Sequence, residues 1–375
     1  MTNPFVTSGY AGREYFCDRV QETEKLVSLL TNGNNVALIS PRRIGKTDLI
    51  RHCFAQEAVS DKYHTFVIDI YATNSLRDFV NLFGKAILDT LRSKGKKIWE
   101  RFLQTLSSLR AEIKFDADGK PIWSIGLGAI TNPTITLDEI FAYLDNADKP
   151  CLIAIDEFQQ ITRYNDDKNV EATLRTYIQR SSNAHFVFAG SQRHLMSAMF
   201  ASPSRPFYQS VAILNLKNIP MEKYEEFAAH HFQQAGKRLG QGVVKRLYEQ
   251  FDGITYYLQR MMNYLFLSTP VGQTCPTEAI DSAIAEIVAD SADTYTSLLM
   301  QIPEKQRMVL LAIASEGHSR NVSSGAFVKK YHLQSPSTVL SAIKGLLEKD
   351  LVTQEDGAYI VYDRLFSLWL TKRKP

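Results

Sequence analysis

Between Val36 and Ile219, short apolar runs alternate with segments of helical spacing. The runs are NVALIS, TFVIDIY, CLIAIDE, HFVFAGS and VAILNL, and polar residues scarcely interrupt them. Strands covered on both faces read this way, because a parallel sheet packed between helices has no wet side. The intervening segments repeat apolar positions every three or four residues. In SLRDFVNLFGKAILDTL, for instance, Phe79, Phe83 and Ile87 fall on one face. The pattern predicts an α/β core on a parallel sheet over residues 1–220. One stretch departs from it. Ala111 to Leu127 alternates and carries Asp118-Gly119, so a β-hairpin insertion is expected at about 108–130, as exposed decoration rather than a partner-binding arm.

After Pro220 the strand pattern stops. MEKYEEFAAHHFQQAG and GQGVVKRLYEQF read as amphipathic helices parted by glycines, and a helical lid is expected over 221–295. From 296 to 375 the order is three helices, PEKQRMVLLAIAS, SSGAFVKKYHL and SPSTVLSAIKGLLEKD. They precede a strand pair, LVTQEDGAYIVYD, turned at Asp356-Gly357. Ser335-Pro336 marks a helix start, a capping hydroxyl ahead of a proline at the first helical position. Three helices and a hairpin in this order make a winged helix.

Composition narrows the classes. With 45% hydrophobic and 22% charged residues the chain is ordinary for a globular protein, and no apolar run is long enough to cross a bilayer. The N-terminus lacks a basic-then-apolar signal layout, so a cytoplasmic protein is expected. Cys17, Cys53, Cys151 and Cys275 are dispersed without a CxxC pair, which points to buried thiols rather than zinc or disulfides. A net charge of +3 is too small to announce a nucleic-acid binder by bulk electrostatics.

The chemistry begins at SPRRIGKT, between the run NVALIS and the helical DLIRHCFAQEA. A strand feeding such a loop into a helix is the context of a triphosphate cradle. Gly45 lets the backbone approach phosphate oxygens, and successive N–H groups at the helix start point at the anion. Lys46 supplies charge to the β- and γ-phosphates, and the Thr47 hydroxyl suits Mg²⁺. The cofactor-binding set is Ser40, Pro41, Arg42, Arg43, Ile44, Gly45, Lys46, Thr47 and Asp48. Ser40 stands where such loops usually open with glycine; a tight turn remains feasible there if its φ stays negative. Arg42 and Arg43 add positive potential, face solvent or face a neighbouring subunit.

CLIAIDEFQQI supplies the second half. A buried strand ending in Asp156-Glu157 is costly unless a cation or hydrogen bonds compensate. Asp156 fits a Mg²⁺ ligand acting through water, and Glu157 fits the group that activates water, which favours hydrolysis over transfer to an acceptor. The strand HFVFAGS ends at Ser191-Gln192. Ser191 is the candidate sensor of the γ-phosphate, with Gln192 second and a plain Gly190-Ser191 turn the alternative.

With these segments assembled, the chain resembles the archaeal-type ATPases of the AAA+/STAND P-loop group. The similarity runs through YFCDRVQETEKLVSLL, SPRRIGKTDLI, CLIAIDEFQQI, FAGSQRHLM, GITYYLQRMMNYLF and VYDRLFSLWL. It implies a five-stranded parallel core with the loop strand central, a lid, a winged helix, and ATP/ADP with Mg²⁺ held between core and lid. It also implies that Phe16 to Arg19 lie near adenine. The chain departs from the family at SPSRPFYQSV, where Tyr208 is kept but Gln209 stands near an arginine position. Arg205 is therefore the candidate catalytic arginine. Arg260 is the possible lid arginine beyond Gly253-Ile254-Thr255.

The implied function is an ATP-hydrolysing switch that repositions lid and winged helix to act on a protein or nucleic-acid partner, with a nucleotide-dependent oligomer as a further option. The alternative is a DNA-binding winged-helix protein with a structural nucleotide. In the third helix Val339, Ile343 and Leu346 or Leu347 read as buried. Ser337, Thr338, Ser341, Lys344 and Gly345 read as exposed, a thin supply for DNA. The wing tip Glu355-Asp356 is acidic, while Lys329, Lys330 and Lys372 to Lys374 are scattered. A winged helix that packs on the ATPase core or on a protein partner is preferred to one that contacts DNA.

Overall fold

The computed structural model describes residues 3–108, 114–122, 130–165 and 169–373. They form two compact units. One comprises Pro4–Phe227 with Gly253–Gln259, and the other Met1–Asn3, Ala228–Asp252 and Arg260–Pro375.

All five expected strands are present in the first unit. They are β1 (Val36–Ile39), β2 (His64–Asp69), β3 (Cys151–Asp156), β4 (Ala184–Gly190) and β5 (Ala212–Asn215). They pair in the parallel order β2-β3-β4-β1-β5. The loop strand β1 is thus interior but one place off centre, and the middle position belongs to β4. β5 closes the edge, and its half-buried pattern with an exposed Ile213 contrasts with the fully buried β1 and β3.

Alternate residues of each strand feed opposite faces. Ile39, Phe66, Ile153, Phe186 and Phe188 join a core with Phe79, Phe83 and Ile87 of the helix Leu76–Arg92 and Ile140 of Pro133–Asp145. Val36, Leu38, Leu152, Ala154 and Val187 join the other. There they meet Leu26 and Leu30 of helix α1 (Val20–Thr31) and Leu49 and Ile50 of helix α2 (Lys46–Phe54). This sandwich fixes the strand ends in register: Ile39 lies beside Gly190, and Asp69 beside Asp156.

The insertion is a short antiparallel pair, Lys114–Phe115 with Pro121–Ile122, closed by the Asp116 N–H on the Lys120 carbonyl at 2.8 Å. Residues 111–113 and 123–127 of the expected hairpin lie outside the described residues.

In the second unit, helices Glu304–Glu316, Gly325–Lys330 and Pro336–Glu348 precede the antiparallel strands Val352–Glu355 and Ala358–Val361. The Ser335 hydroxyl accepts from the Thr338 N–H at 3.2 Å, as a capping serine should. Val339, Ile343 and Leu346 are buried. Gly345 is not the exposed position expected: a Cβ there would strike the Gln306 side chain, so the glycine serves close helix packing. A two-residue parallel pair, Arg238–Leu239 with Thr274–Cys275, also interrupts the strand-free region expected after Pro220. Two residues are too few to leave a periodic signature. Among the described residues no helix is long and apolar enough to cross a membrane, and all four cysteines are buried and free.

Candidate nucleotide site

The C-terminal ends of β1, β3 and β4 bring the predicted segments to one crevice, the usual place for ligands in an open α/β sheet. A cavity of about 280 Å³ opens there, lined by the loop from Arg42 to Asp48, by Glu157 and by Tyr10, Phe16 and Arg19. Thr255, Tyr256 and Gln259 also line it.

The loop makes its bends without the missing glycine. Ser40 is buried and stays out of the left-handed region; its N–H donates to the Gly190 carbonyl at 3.4 Å and its hydroxyl to the Pro41 carbonyl at 2.9 Å. The left-handed turns fall instead on Arg43 (φ 67°) and Gly45 (φ 90°). That conformation costs a non-glycine residue about 1–2 kcal/mol, and the Arg43 guanidinium is held by compensating contacts. It lies 5.0 Å from the centre of the Tyr256 ring and 5.3 Å from that of Tyr257, and donates to the Tyr257 hydroxyl. The Tyr256 N–H returns a bond to the Arg43 carbonyl at 3.0 Å. Arg43 is thus anchored to the Gly253–Gln259 segment. Gly45 then caps α2, whose first N–H groups have no partner within the helix and form an anion-binding end.

Lys46 is 6% exposed. Burial pulls its ammonium below the usual lysine value, against the opposing pull of Asp156 and Glu157. Its hydrogen bond to the Pro41 carbonyl is long, at 3.5 Å. The Thr47 hydroxyl donates directly to Asp156 Oδ2. Burial pushes the Asp156 carboxyl above the ordinary range, while the Thr47 bond and Lys46 act the other way. Among the described residues, a buried ammonium with one long hydrogen bond and a buried carboxylate beside a hydroxyl make a donor set that a polyphosphate and a divalent cation would complete. The residues present therefore fit Mg²⁺ with a nucleoside triphosphate.

Glu157 follows β3 in the left-handed conformation (φ 55°). Its Oε2 accepts from the Ser191 hydroxyl at 2.6 Å and from Gln159 Nε2. Arg42 Nε donates to the same Ser191 oxygen at 3.0 Å. A guanidinium can only donate, so the serine proton must point to the carboxylate, and the chain Arg42, Ser191, Glu157 is polarised one way. Gln192 is engaged elsewhere, with Arg163 at 3.3 Å.

Phe16 lines the cavity and stacks on His52 at 4.2 Å, with Tyr10 edge-on to both. Burial keeps His52 below its usual value, and its Nδ1 meets the Tyr10 hydroxyl at 2.9 Å. Arg19 is buried, bonded to Glu22 at 2.9 Å and to the Ile44 carbonyl at 3.3 Å, so it braces the loop from behind.

Residues 16–261 match the family described as an ATPase domain predominantly from Archaea. The chain belongs to that family of ATPases. Residues 293–372 match a probable winged helix domain. No curated protein matches the sequence. Among solved structures, a Walker-type ATPase of Pyrococcus abyssi is similar over 98% of this chain and 99% of its own, at 16% identity and a TM-score of 0.67. The ORC2 protein of Aeropyrum pernix, in ADPNP and ADP complexes, aligns with 99% of this chain and 96% of its own at 13% identity and a TM-score of 0.61. The ORC1 protein of the same organism, in complex with DNA, aligns over the same shares at 13% and 0.55. At these identities the likeness is one of fold: a P-loop ATPase core followed by a winged helix.

In this archaeal-type ATPase, Ser40 to Asp48, Asp156, Glu157, Ser191, Phe16 and Arg19 converge on the crevice or brace it. Arg205 does not line the cavity; its guanidinium pairs at 2.8 Å with the buried Glu171. Arg260 falls in the second compact unit. Sequence reading missed Tyr10, His52, Gln159 and the Tyr256-Tyr257 anchor. The tyrosines stand in GITYYLQ, a segment the resemblance singled out without a role. Nothing in the spacing of Tyr10 and His52 marks them as neighbours.

Proposed function

We propose that the chain is a Mg²⁺-dependent, ATP-hydrolysing molecular switch. One observation carries this: a buried lysine, a threonine–aspartate pair and a glutamate oriented by a serine meet in one crevice beside an anion-binding helix start. A purely structural nucleotide would need the first three but not the oriented glutamate.

In this reading the α2 N–H groups and Lys46 bind the β- and γ-phosphates. Thr47 and Asp156 would hold Mg²⁺, which neutralises charge developing on the phosphate oxygens. Glu157 orients and deprotonates the attacking water. Ser191, backed by Arg42, holds Glu157 and reports the state of the γ-phosphate. Phe16 and Arg19 take the adenine end. The helical lid over 221–295 and the winged helix over 296–375 are the responding parts, with a protein or nucleic-acid partner. Glu157→Gln should retain ATP binding and stop turnover; hydrolysis at the parental rate would end this mechanism. Small-angle scattering with ADP and with a non-hydrolysable ATP analogue tests the switch. Identical profiles, with binding confirmed in both, would leave no nucleotide-driven rearrangement or oligomer.

A second reading, DNA contact through the winged helix, draws on the DNA-bound ORC1 protein of similar fold. The chain's own surface supports it thinly. Ser337, Ser341 and Lys344 are exposed on the third helix, but Lys330 is paired with Glu316 at 2.8 Å. Glu355 and exposed Asp356 keep the wing acidic. Lys329 and Lys372 are exposed, whereas Lys374 lies outside the described residues. A protein partner remains favoured. Binding to duplex DNA that weakens steeply as salt rises would reverse that preference.

A further inference from the structure

Gln159 is 3% exposed on the helical turn Phe158–Arg163, just past Glu157. A long amide side chain is rarely buried so deeply without full pairing. Its Nε2 donates to Glu157 Oε2, but its buried Oε1 has no hydrogen-bond partner. The neighbouring strand makes room for it. A Cβ on Gly190 would collide with Gln159 Oε1 and with Met196 Sδ. The φ of Gly190 lies outside the left-handed region, so this glycine is needed for space and not for its backbone freedom. The fold thus accepts an unpaired buried acceptor beside a glycine at the strand end, and together they seat one amide against one carboxylate.

That carboxylate is divided in its contacts. Oε2 receives both Ser191 and Gln159. Among the described residues none donates to Oε1, and Glu157 lines the cavity. We infer that Gln159 is a positioning residue for hydrolysis: with Ser191 it pins Oε2, leaving Oε1 to meet the attacking water. The inference rests on the reading of Glu157 as the water-activating group. In the step it serves, Oε1 takes the water proton as the water oxygen bonds to the γ-phosphorus. The bridging P–O bond breaks, and its electron pair leaves with ADP.

A double-mutant cycle in the full chain tests this. Gln159→Met fills the same space without a donor. It should lower kcat by about tenfold or more, the loss expected for one hydrogen bond to a charged group. KM and the affinity for a non-hydrolysable ATP analogue should stay within about threefold, since nothing that binds phosphate is touched. In a Glu157→Gln background, where steady turnover stops, the slow hydrolysis of bound ATP followed in a single turnover should change by less than about twofold on the same substitution, because Gln159 acts only through that carboxylate. Equal losses in both backgrounds would overturn the inference alone. A Glu157→Gln enzyme as active as the parent would overturn it together with the reading beneath it. Should Gln159→Met fail to fold, Gln159→Leu, which likewise carries no donor and no charge, enters the same cycle with the same outcomes.

Discussion

Replacing Gly190 with alanine adds one methyl group where the crevice is tightest. Its Cβ would overlap the sulfur of Met196, which is fully buried, and the Oε1 of Gln159, which is nearly so. Neither can swing into solvent. Overpacking of this kind costs about 1–3 kcal/mol. Because the φ of Gly190 is open to any residue, alanine also restricts the unfolded chain, which returns about 0.4–1 kcal/mol. The net loss is then about 0–2.6 kcal/mol, and at roughly 2–4 °C per kcal/mol for a unit of this size it lowers Tm by up to about 10 °C. The Gly190 carbonyl accepts the Ser40 N–H, so the displacement reaches the phosphate loop as well as Glu157. Scanning calorimetry and steady-state turnover on Gly190→Ala measure both effects. Parental melting together with parental turnover would refute the steric reasoning, since no arrangement of these atoms accommodates the methyl group without moving Gln159 or Met196.

Three further substitutions each test a single side chain. Ser191→Ala removes a short hydroxyl–carboxylate bond worth about 1.5–3 kcal/mol, so turnover should fall by roughly tenfold to a hundredfold while ATP affinity, measured by titration calorimetry, holds. Arg43→Ala loses its contacts with two tyrosine rings, each worth about 0.5–2 kcal/mol, and keeps the left-handed strain; thermal melting should drop by several degrees, and an unchanged melt would remove the anchoring role. Arg364 is buried, 3.0 Å from Asp252 and 3.6 Å from Glu355, and Arg364→Met leaves two partly exposed carboxylates without it. Urea unfolding should show a loss of about 1–3 kcal/mol, discounted from a fully buried pair because both acids are about a third exposed.

The core was legible because burial on both faces writes an unbroken apolar run: NVALIS, CLIAIDE and HFVFAGS could hardly be anything but inner strands. Strand order was not, since β1 and β4 pair through registers that no local pattern encodes, and the resemblance placed the loop strand centrally when it lies one position over. The phosphate loop was readable from its residue types, and Asp156-Glu157 from the cost of ending a buried strand in two acids. What stayed hidden depends on tertiary meetings. Gln159 looks like one polar residue of a short helix until Gly190 is seen to vacate space for it. Gly190 itself reads as a turn residue, because a sequence cannot distinguish glycine chosen for φ from glycine chosen for volume. Gly345, expected on the open face of its helix, repeats the lesson against Gln306. Arg42 and Arg43 carried three possible roles in sequence, and only their meetings with Ser191 and with Tyr256 and Tyr257 separated them.

The central claim is that the crevice holds a triphosphate through Lys46, and calorimetric titration of Mg-ATP into the parent and into Lys46→Ala tests it most directly. Saturable binding by the parent, weakened at least about tenfold to a hundredfold by loss of a charged partner worth about 1.5–3 kcal/mol, is the predicted result. Equal affinity in the two proteins, or no heat of binding in the parent, would contradict it.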